Sequence, residues 1–162
     1  MIKEILHKDD FQIYSELLNS AFLTVAKEFN LTRENSPTNN AFISAGQLKQ
    51  QLTKNRRFFC YLSQNEPIGF IAIEKAENPV GTFYIEKLAV LPQYRHKGIG
   101  NQLMDFATKE IKEMGGELIS IGLIDTNNIL KDWYQRQGFI KTHVKSFDTL
   151  PFDVCYMEKK IG

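Results

Sequence analysis

Cysteine is scarce in this sequence of 162 residues, and its two cysteines stand far apart. Cys60 and Cys155 form no CxxC pair and have no histidines clustered near them, which argues against a disulfide framework and against a zinc site. We therefore expect two buried, reduced cysteines and no bound metal.

Long hydrophobic runs are also absent, and charges recur every few residues. No stretch approaches the roughly 20 consecutive apolar residues that a membrane-spanning helix requires. Residues 1–10 include acidic side chains where a secretion signal would be apolar. These absences predict a cytoplasmic protein that has no membrane partner.

Neither sign of charge is in excess. Lys and Arg total 20 against 19 Asp and Glu, so the formal net charge is +1. A chain this close to neutral has no broad basic surface, and we therefore expect no nucleic-acid partner.

The composition is that of an ordinary globular protein, since 43% of the residues are hydrophobic and 24% are charged. The sequence contains no repeat and no low-complexity segment, and its most polar stretch, residues 32–40, is only as long as a loop. We therefore expect a single domain over residues 1–162.

Hydrophobic periodicity and turn residues predict the element order βααβββαβαββ, an α/β or α+β fold. Ser44 can cap a short helix, and Gly115 supplies a left-handed stop after the most strongly periodic helix. The predicted strands cover residues 2–6, 58–62, 68–73, 82–90, 118–124, 139–144 and 154–157, and the predicted helices cover residues 11–29, 44–52, 97–114 and 127–137.

The most informative segment is the turn that joins the strand at 82–90 to the helix at 97–114. Gly98 and Gly100 lack Cβ atoms that would block close approach, and the first amides of a helix have no helical partners. The helix dipole adds positive potential, and Arg95 and Lys97 add formal charge. This pattern predicts an anion site, with a tight helix start and two solvated side chains as the alternative.

Two nucleotide-binding motifs fit this turn poorly. No Gly-Lys-Ser/Thr closes it, so the P-loop interpretation fails. Leu103 stands where a dinucleotide-binding fold would have its third glycine, and the motif lies far from the first strand of the chain.

Two motifs together resemble the GCN5-related N-acetyltransferases, or GNAT family, which use acetyl-coenzyme A. The first reads Val90-Leu91-Pro92-Gln93-Tyr94-Arg95-His96-Lys97-Gly98-Ile99-Gly100, a strand ending in Val-x-Pro followed by the glycine signature. The second places Asn127, Tyr134, Gly138 and Phe139 after an apolar strand. The resemblance implies a mixed sheet that splays between the strands at 82–90 and 118–124.

The resemblance also implies where the cofactor binds. The coenzyme A diphosphate would lie on the amides of the turn, with Arg95 beside it, and the pantetheine arm would pair with the end of the preceding strand. Asn127 would bind the same arm. The implied cofactor-binding residues are Leu88, Ala89, Val90, Arg95, His96, Lys97, Gly98, Ile99, Gly100, Asn101, Asn127 and Tyr134.

Direct attack of an amine on a thioester in a ternary complex needs an acid and a base. The resemblance implies that Tyr134 protonates the leaving thiolate, and core packing is the alternative for this tyrosine. Glu86 is the candidate base because it interrupts an apolar strand, where burial would raise its pKa. The alternatives for Glu86 are a position facing the edge of the sheet, a salt bridge with Lys87 or Arg95, or a water relay that uses no dedicated base.

Leu130 stands where the resembled family usually has alanine, and Trp133 where it usually has leucine or phenylalanine. These larger side chains could narrow the channel near the sulfur, so the size of the acyl group is left open. Acetyl is the expected acyl group.

The acceptor is expected to be a small-molecule or peptide amine, and a homodimer is left open. Phe22, Phe29 and Phe42, with Glu28 and Glu34, could form an aromatic and acidic pocket for a cationic amine, or the phenylalanines could belong to the core. The alternative function is a coenzyme A-binding regulator without turnover.

Overall fold

One mixed sheet of seven strands, in the order β1-β2-β3-β4-β5-β7-β6, organises the chain in a computed structural model that describes residues 1–162. The predicted order of strands and helices is confirmed. The strands are β1 (Ile2–Ile5), β2 (Arg56–Ser63), β3 (Glu66–Lys75), β4 (Thr82–Val90), β5 (Leu118–Ile124), β6 (Ile140–Lys145) and β7 (Val154–Lys160). The helices are α1 (Phe11–Glu28), α2 (Ala45–Gln51), α3 (Ile99–Glu113) and α4 (Asn128–Arg136).

The helix ends follow from local chemistry. Ser44 begins α2 with a capping box, in which its hydroxyl accepts from the Gln47 amide and the Gln47 side chain accepts from the Ser44 amide. After α3, Gly115 has a φ of +83°, the left-handed conformation predicted for it. Two short 3₁₀ turns, at Asn40–Phe42 and Pro92–Tyr94, were not predicted.

Apolar side chains cover both faces of the sheet, because successive residues of a strand point to opposite sides. Phe58 belongs to the core under α1 and α2, whereas its neighbour Phe59 belongs to the core under α3 and α4. Burial of each such ring contributes roughly 1.5–3 kcal/mol. The sheet is therefore held between two helical layers.

The strands β4 and β5 run parallel but stay together over three pairs only: Thr82 with Leu118, Phe83 with Ile119, and Tyr84 with Ser120. Beyond these pairs the two strands separate. The splay predicted between the strands at 82–90 and 118–124 is confirmed, and it leaves an open edge of β4 near the glycine turn.

A bulge in β4 changes which side chains face each helical layer. Lys87 has a φ of +54°, and the pairing of β3 with β4 shifts register beside it. Before the bulge Ile85 packs in the α3 and α4 core; after it, Val90 packs against that core and Ala89 lies in the other. An extra residue in a strand produces such a reversal of faces. Glu86 therefore lies on the α1 and α2 face.

Both cysteines are buried and free, as predicted. None of the helices is long and apolar enough to span a membrane.

Candidate active site

The turn before α3 presents a continuous row of free amides. His96 and Gly98 both have positive φ, +62° and +82°, and Gly98 begins the helix. The Gln102 amide is the first in this segment to find an acceptor, the Gly98 carbonyl at 3.1 Å. The six amides from His96 to Asn101 therefore have no hydrogen-bond partner in the chain. Unpartnered amides at a helix N-terminus can donate hydrogen bonds to an anion.

Space above the turn is open on the Gly98 side. A Cβ atom added to Gly98 would meet nothing within 4 Å, so its positive φ, and not packing within the chain, favours glycine there. A Cβ atom on Gly100 would lie 3.5 Å from Trp133 Cζ2. The Trp133 ring of α4 thus forms one wall beside the turn, at a position where the sequence departs from the resembled family.

Acceptors in β4 and α1 hold the Arg95 side chain, and its expected place beside a bound diphosphate stays a prediction. Its Nε donates to the Val90 carbonyl at 3.0 Å, Nη1 to Thr24 Oγ1 at 3.1 Å, and Nη2 to the Ala21 carbonyl at 2.7 Å. The guanidinium turns toward α1 because that helix supplies two acceptors. The exposed Lys97, whose Nζ lies 5.6 Å from the centre of the Tyr94 ring, is the free cation of the turn.

The backbone at the end of β4 faces the splay. The Leu91 amide donates to the Ile68 carbonyl of β3 at 2.9 Å, and Val90 lies opposite Gly69. Because backbone groups of successive residues alternate in direction along an antiparallel pair, the Val90 amide and carbonyl point away from β3. Arg95 occupies that carbonyl, so the Val90 amide is the group available for a ligand. Its role as a cofactor contact stays a prediction.

Tyr134 is packed by its ring and free at its hydroxyl. It is 7% exposed, and its ring meets Trp133 and Phe139 edge-to-face with centroid separations of 5.1 and 5.5 Å. The hydroxyl has no partner within the chain, yet it is not among the fully buried unpaired oxygens. Burial raises the pKa of Tyr134 above its ordinary value, so the phenol keeps its proton at neutral pH. Packing and proton donation are compatible here.

Asn127 and Asn101 have structural partners that sequence analysis did not predict. Asn127 caps α4, with its Oδ1 accepting from the Leu130 amide at 3.3 Å. Asn101 Oδ1 accepts from Gln137 Nε2 at 2.8 Å, which ties α3 to the end of α4. The side-chain amide nitrogen of Asn127 has no hydrogen-bond partner in the chain, and its contact with the cofactor stays a prediction.

Glu86 forms an ion pair, but its partner is neither Lys87 nor Arg95. Arg56 Nε lies 3.3 Å from Glu86 Oε1, and Arg56 Nη2 lies 2.8 Å from Glu74 Oε2. Burial raises the pKa of Glu86 to about 7, and the neighbouring Glu74 adds to this rise while Arg56 opposes it. A carboxyl with this pKa can accept and release a proton at neutral pH.

The bulge residue Lys87 connects β4 to the segment before α2. Its Nζ donates to Asn40 Oδ1 at 2.7 Å, and burial lowers the pKa of this ammonium to about 8. A cavity of about 310 Å³ lies in the same region, between α2 and the preceding loop. Most of its lining is polar, formed by Pro37, Thr38, Asn39, Ile43, Gln47, Gln50, Gln51 and Arg56.

The three phenylalanines considered for an acceptor pocket are half-buried. Phe22, Phe29 and Phe42 pack around the small buried cluster of Ala26, Leu31 and Ala41. This packing supports the core alternative, and an acceptor pocket at these residues stays a prediction.

Glu86 and Tyr134, the two predicted catalytic residues, lie on opposite faces of the sheet, and their joint role in catalysis stays a prediction. Glu86 lies on the α1 and α2 face, and Tyr134 belongs to the core under α3 and α4. Glu86 lies two residues beyond Tyr84, the last residue of β4 that pairs with β5. Sequence analysis missed Arg56 and Glu74, because their distance along the chain from Glu86 carries no periodic signal.

The chain is similar to known proteins in both sequence and fold. A model of the acetyltransferase (GNAT) family matches residues 15–139. Among solved structures, the ribosomal-protein-S18-alanine N-acetyltransferase from Escherichia coli superposes with a TM-score of 0.77 at 14% identity, covering 99% of this chain and 93% of that one.

Two further structures extend the comparison. PaiA N-acetyltransferase from Thermoplasma acidophilum, solved in complex with coenzyme A, has a TM-score of 0.73 at 20% identity and covers 99% of this chain and 98% of its own. Aminoglycoside 6'-acetyltransferase type Ii has a TM-score of 0.73 at 19% identity, with coverages of 99% and 96%. At these identities the likeness establishes the fold.

Proposed function

Since the chain belongs to the acetyltransferase (GNAT) family, we propose that it transfers the acetyl group of acetyl-coenzyme A to a primary amine by direct attack in a ternary complex. The observation that carries the proposal is the row of six free amides, His96 to Asn101, beside the open edge of β4.

The residues present fit coenzyme A. A diphosphate needs several convergent donors without a competing carboxylate, and the free amides with Lys97 supply them. The pantetheine arm carries amide groups, which suit the exposed backbone at the end of β4. Acetyl-coenzyme A supplies the activated acetyl group as a thioester.

The side chains at the splay divide the proton transfers. As the amine nitrogen forms its bond to the acetyl carbon and the carbon–sulfur bond breaks, Glu86 accepts a proton from the nitrogen. Tyr134 donates its phenolic proton to the departing sulfur, so that neutral coenzyme A leaves. Glu86 then releases its proton to solvent and Tyr134 regains one, which restores both groups. The Val90 amide supports the developing negative charge on the acetyl oxygen.

The proposed acceptor is a small-molecule or peptide amine that enters from the α1 and α2 face. The polar cavity beside Arg56 supports entry from that face, because it lies between α2 and the loop before it. We take the cytoplasm as the compartment, which the two free cysteines support.

The proposal is tested by incubating the protein with acetyl-coenzyme A, alone and with a panel of amines and peptides. We expect release of free thiol that depends on one class of amine, together with a mass increase of that amine by one acetyl group. Calorimetric binding of coenzyme A without turnover on any amine would instead support a regulatory protein. Absence of both binding and turnover would overturn the assignment.

A further inference from the structure

Three adjacent strands place one guanidinium between two carboxylates. Arg56 of β2 lies directly opposite Glu74 of β3, and Glu86 of β4 completes the cluster. The Arg56–Glu74 contact is 2.8 Å and the Arg56–Glu86 contact is 3.3 Å. Arg56 Nη1 also donates to the Gln51 carbonyl at the end of α2, at 3.4 Å. Partners on β3, β4 and α2 therefore hold the guanidinium in one orientation.

The two carboxylates of the cluster are not equivalent. Burial and hydrogen bonding to Glu74 raise the pKa of Glu86, whereas the pKa of Glu74 is lowered by hydrogen bonds and by the Arg56 charge against the effect of burial. The charged groups that face Glu86 are Arg56 from β2, Glu74 from β3, and Lys87 from β4 itself. Of the two carboxylates, Glu74 is therefore the one that stays ionised at neutral pH.

We propose that Arg56 and Glu74 are positioning residues, which hold the Glu86 carboxylate at the splay and together set how readily it takes up a proton. This inference rests on the proposed function, in which Glu86 is the base. The two residues act in opposite senses. Glu74 places a negative charge beside Glu86 and favours its protonated form, while Arg56 favours its ionised form.

The opposite signs provide a test that general damage to the fold cannot imitate. Glu74→Gln should lower the pKa of Glu86 by about one unit, and Arg56→Gln should raise it by a similar amount. The measurement is a ¹³C NMR titration of the glutamate side-chain carboxyls, with the Glu86 resonance identified by its loss in Glu86→Gln. The acidic limb of the rate profile, where kcat/KM rises with pH as Glu86 ionises, should move with this pKa. It should lie at lower pH in Glu74→Gln and at higher pH in Arg56→Gln.

The chain contains a matched control on the other face of the sheet. Arg57, the next residue of β2, joins Glu4 at 2.8 Å and Glu110 at 3.1 Å in a similar bridge. Glu110→Gln removes one carboxylate from that bridge, as Glu74→Gln does from the first. We expect Glu110→Gln to leave both the Glu86 titration and the acidic limb unchanged.

The outcomes separate the inference from the proposed function. The inference is supported if the two variants shift the pKa of Glu86 in opposite directions, and shift the acidic limb of the rate profile in the same way. It is overturned if neither variant shifts the pKa of Glu86, or if both shift it in the same direction. If the pKa of Glu86 shifts but kcat/KM keeps its dependence on pH, Glu86 is not the base. Arg56 and Glu74 then have no positioning role in catalysis. If Arg56→Gln fails to fold, the isosteric Glu74→Gln still decides the matter. Because the titration needs no substrate, loss of turnover on every amine would overturn the proposed function alone.

Discussion

Arg95 Nη2 donates a hydrogen bond of 2.7 Å to the carbonyl oxygen of Ala21, which ties the turn before α3 to the first helix. The same guanidinium holds the Val90 carbonyl and the Thr24 hydroxyl. A residue that the sequence motif places beside an anion therefore fastens α1, β4 and the glycine turn together. Its neighbour Lys97 is left to supply the charge.

Arg95→Gln and Lys97→Gln should have different effects. Loss of the Arg95 hydrogen bonds should destabilise the fold by about 2 kcal/mol, because two partly buried, charge-assisted bonds to the carbonyls of Val90 and Ala21 are lost. Loss of the exposed Lys97 charge should leave stability unchanged and weaken coenzyme A binding a few-fold, most clearly at low salt. Thermal unfolding and calorimetry measure the two effects. An Arg95 variant with full stability and weakened binding would contradict this division.

Gly98→Asp should weaken binding of acetyl-coenzyme A by about tenfold or more, because it brings a negative charge to amides that would hold a diphosphate. Gly115→Asp is the matched control, since Gly115 ends the same helix with a φ of +83° against +82° and equally open space. Both substitutions carry the same backbone strain, but the control should keep its affinity. Calorimetry decides the comparison, and equal affinity in the two folded variants would remove the turn from the cofactor site.

Tyr134→Phe should preserve both stability and affinity for acetyl-coenzyme A, because the hydroxyl has no partner within the chain and the packed ring is retained. Turnover should fall by about 10²-fold if proton donation to sulfur limits the rate. Since burial raises the pKa of Tyr134, the wild-type rate should show no loss of this acid up to about pH 10. Steady-state kinetics provide the measurement, and wild-type turnover in the variant would exclude the acid role.

Glu86→Gln should remove the acidic limb of the rate profile. The pKa of Glu86 is raised to about 7, so its ionised, basic form increases as the pH rises through neutrality. The wild-type advantage should be greatest just above pH 7 and should shrink at lower pH, where Glu86 is protonated. It should also shrink above the acceptor amine's own pKa, about 10 for a lysine-like amine. Rate ratios across this range test the role, and a constant ratio would indicate disturbed packing instead.

The order of strands and helices was predictable from the sequence because it depends on local patterns. Ser44 and Gly115 mark helix ends through bonds and backbone angles within a few residues, and the apolar stripe of α3 repeats at helical spacing. The free amides of the turn follow in the same way from the glycines and the helix start. All of these properties are fixed within one segment of chain.

The surroundings of the predicted site residues were decided by tertiary structure. Arg95 finds two of its three acceptors more than 70 residues earlier, and Glu86 finds Arg56 on a strand two places away in the sheet. Asn127 was expected at a ligand and caps its own helix as well. Charged side chains take the partners that strand register and burial bring within reach, and neither quantity can be read from spacing along the chain. The sequence determined which chemical groups this protein carries, and packing of the sheet determined which of them meet and how strongly each holds its proton.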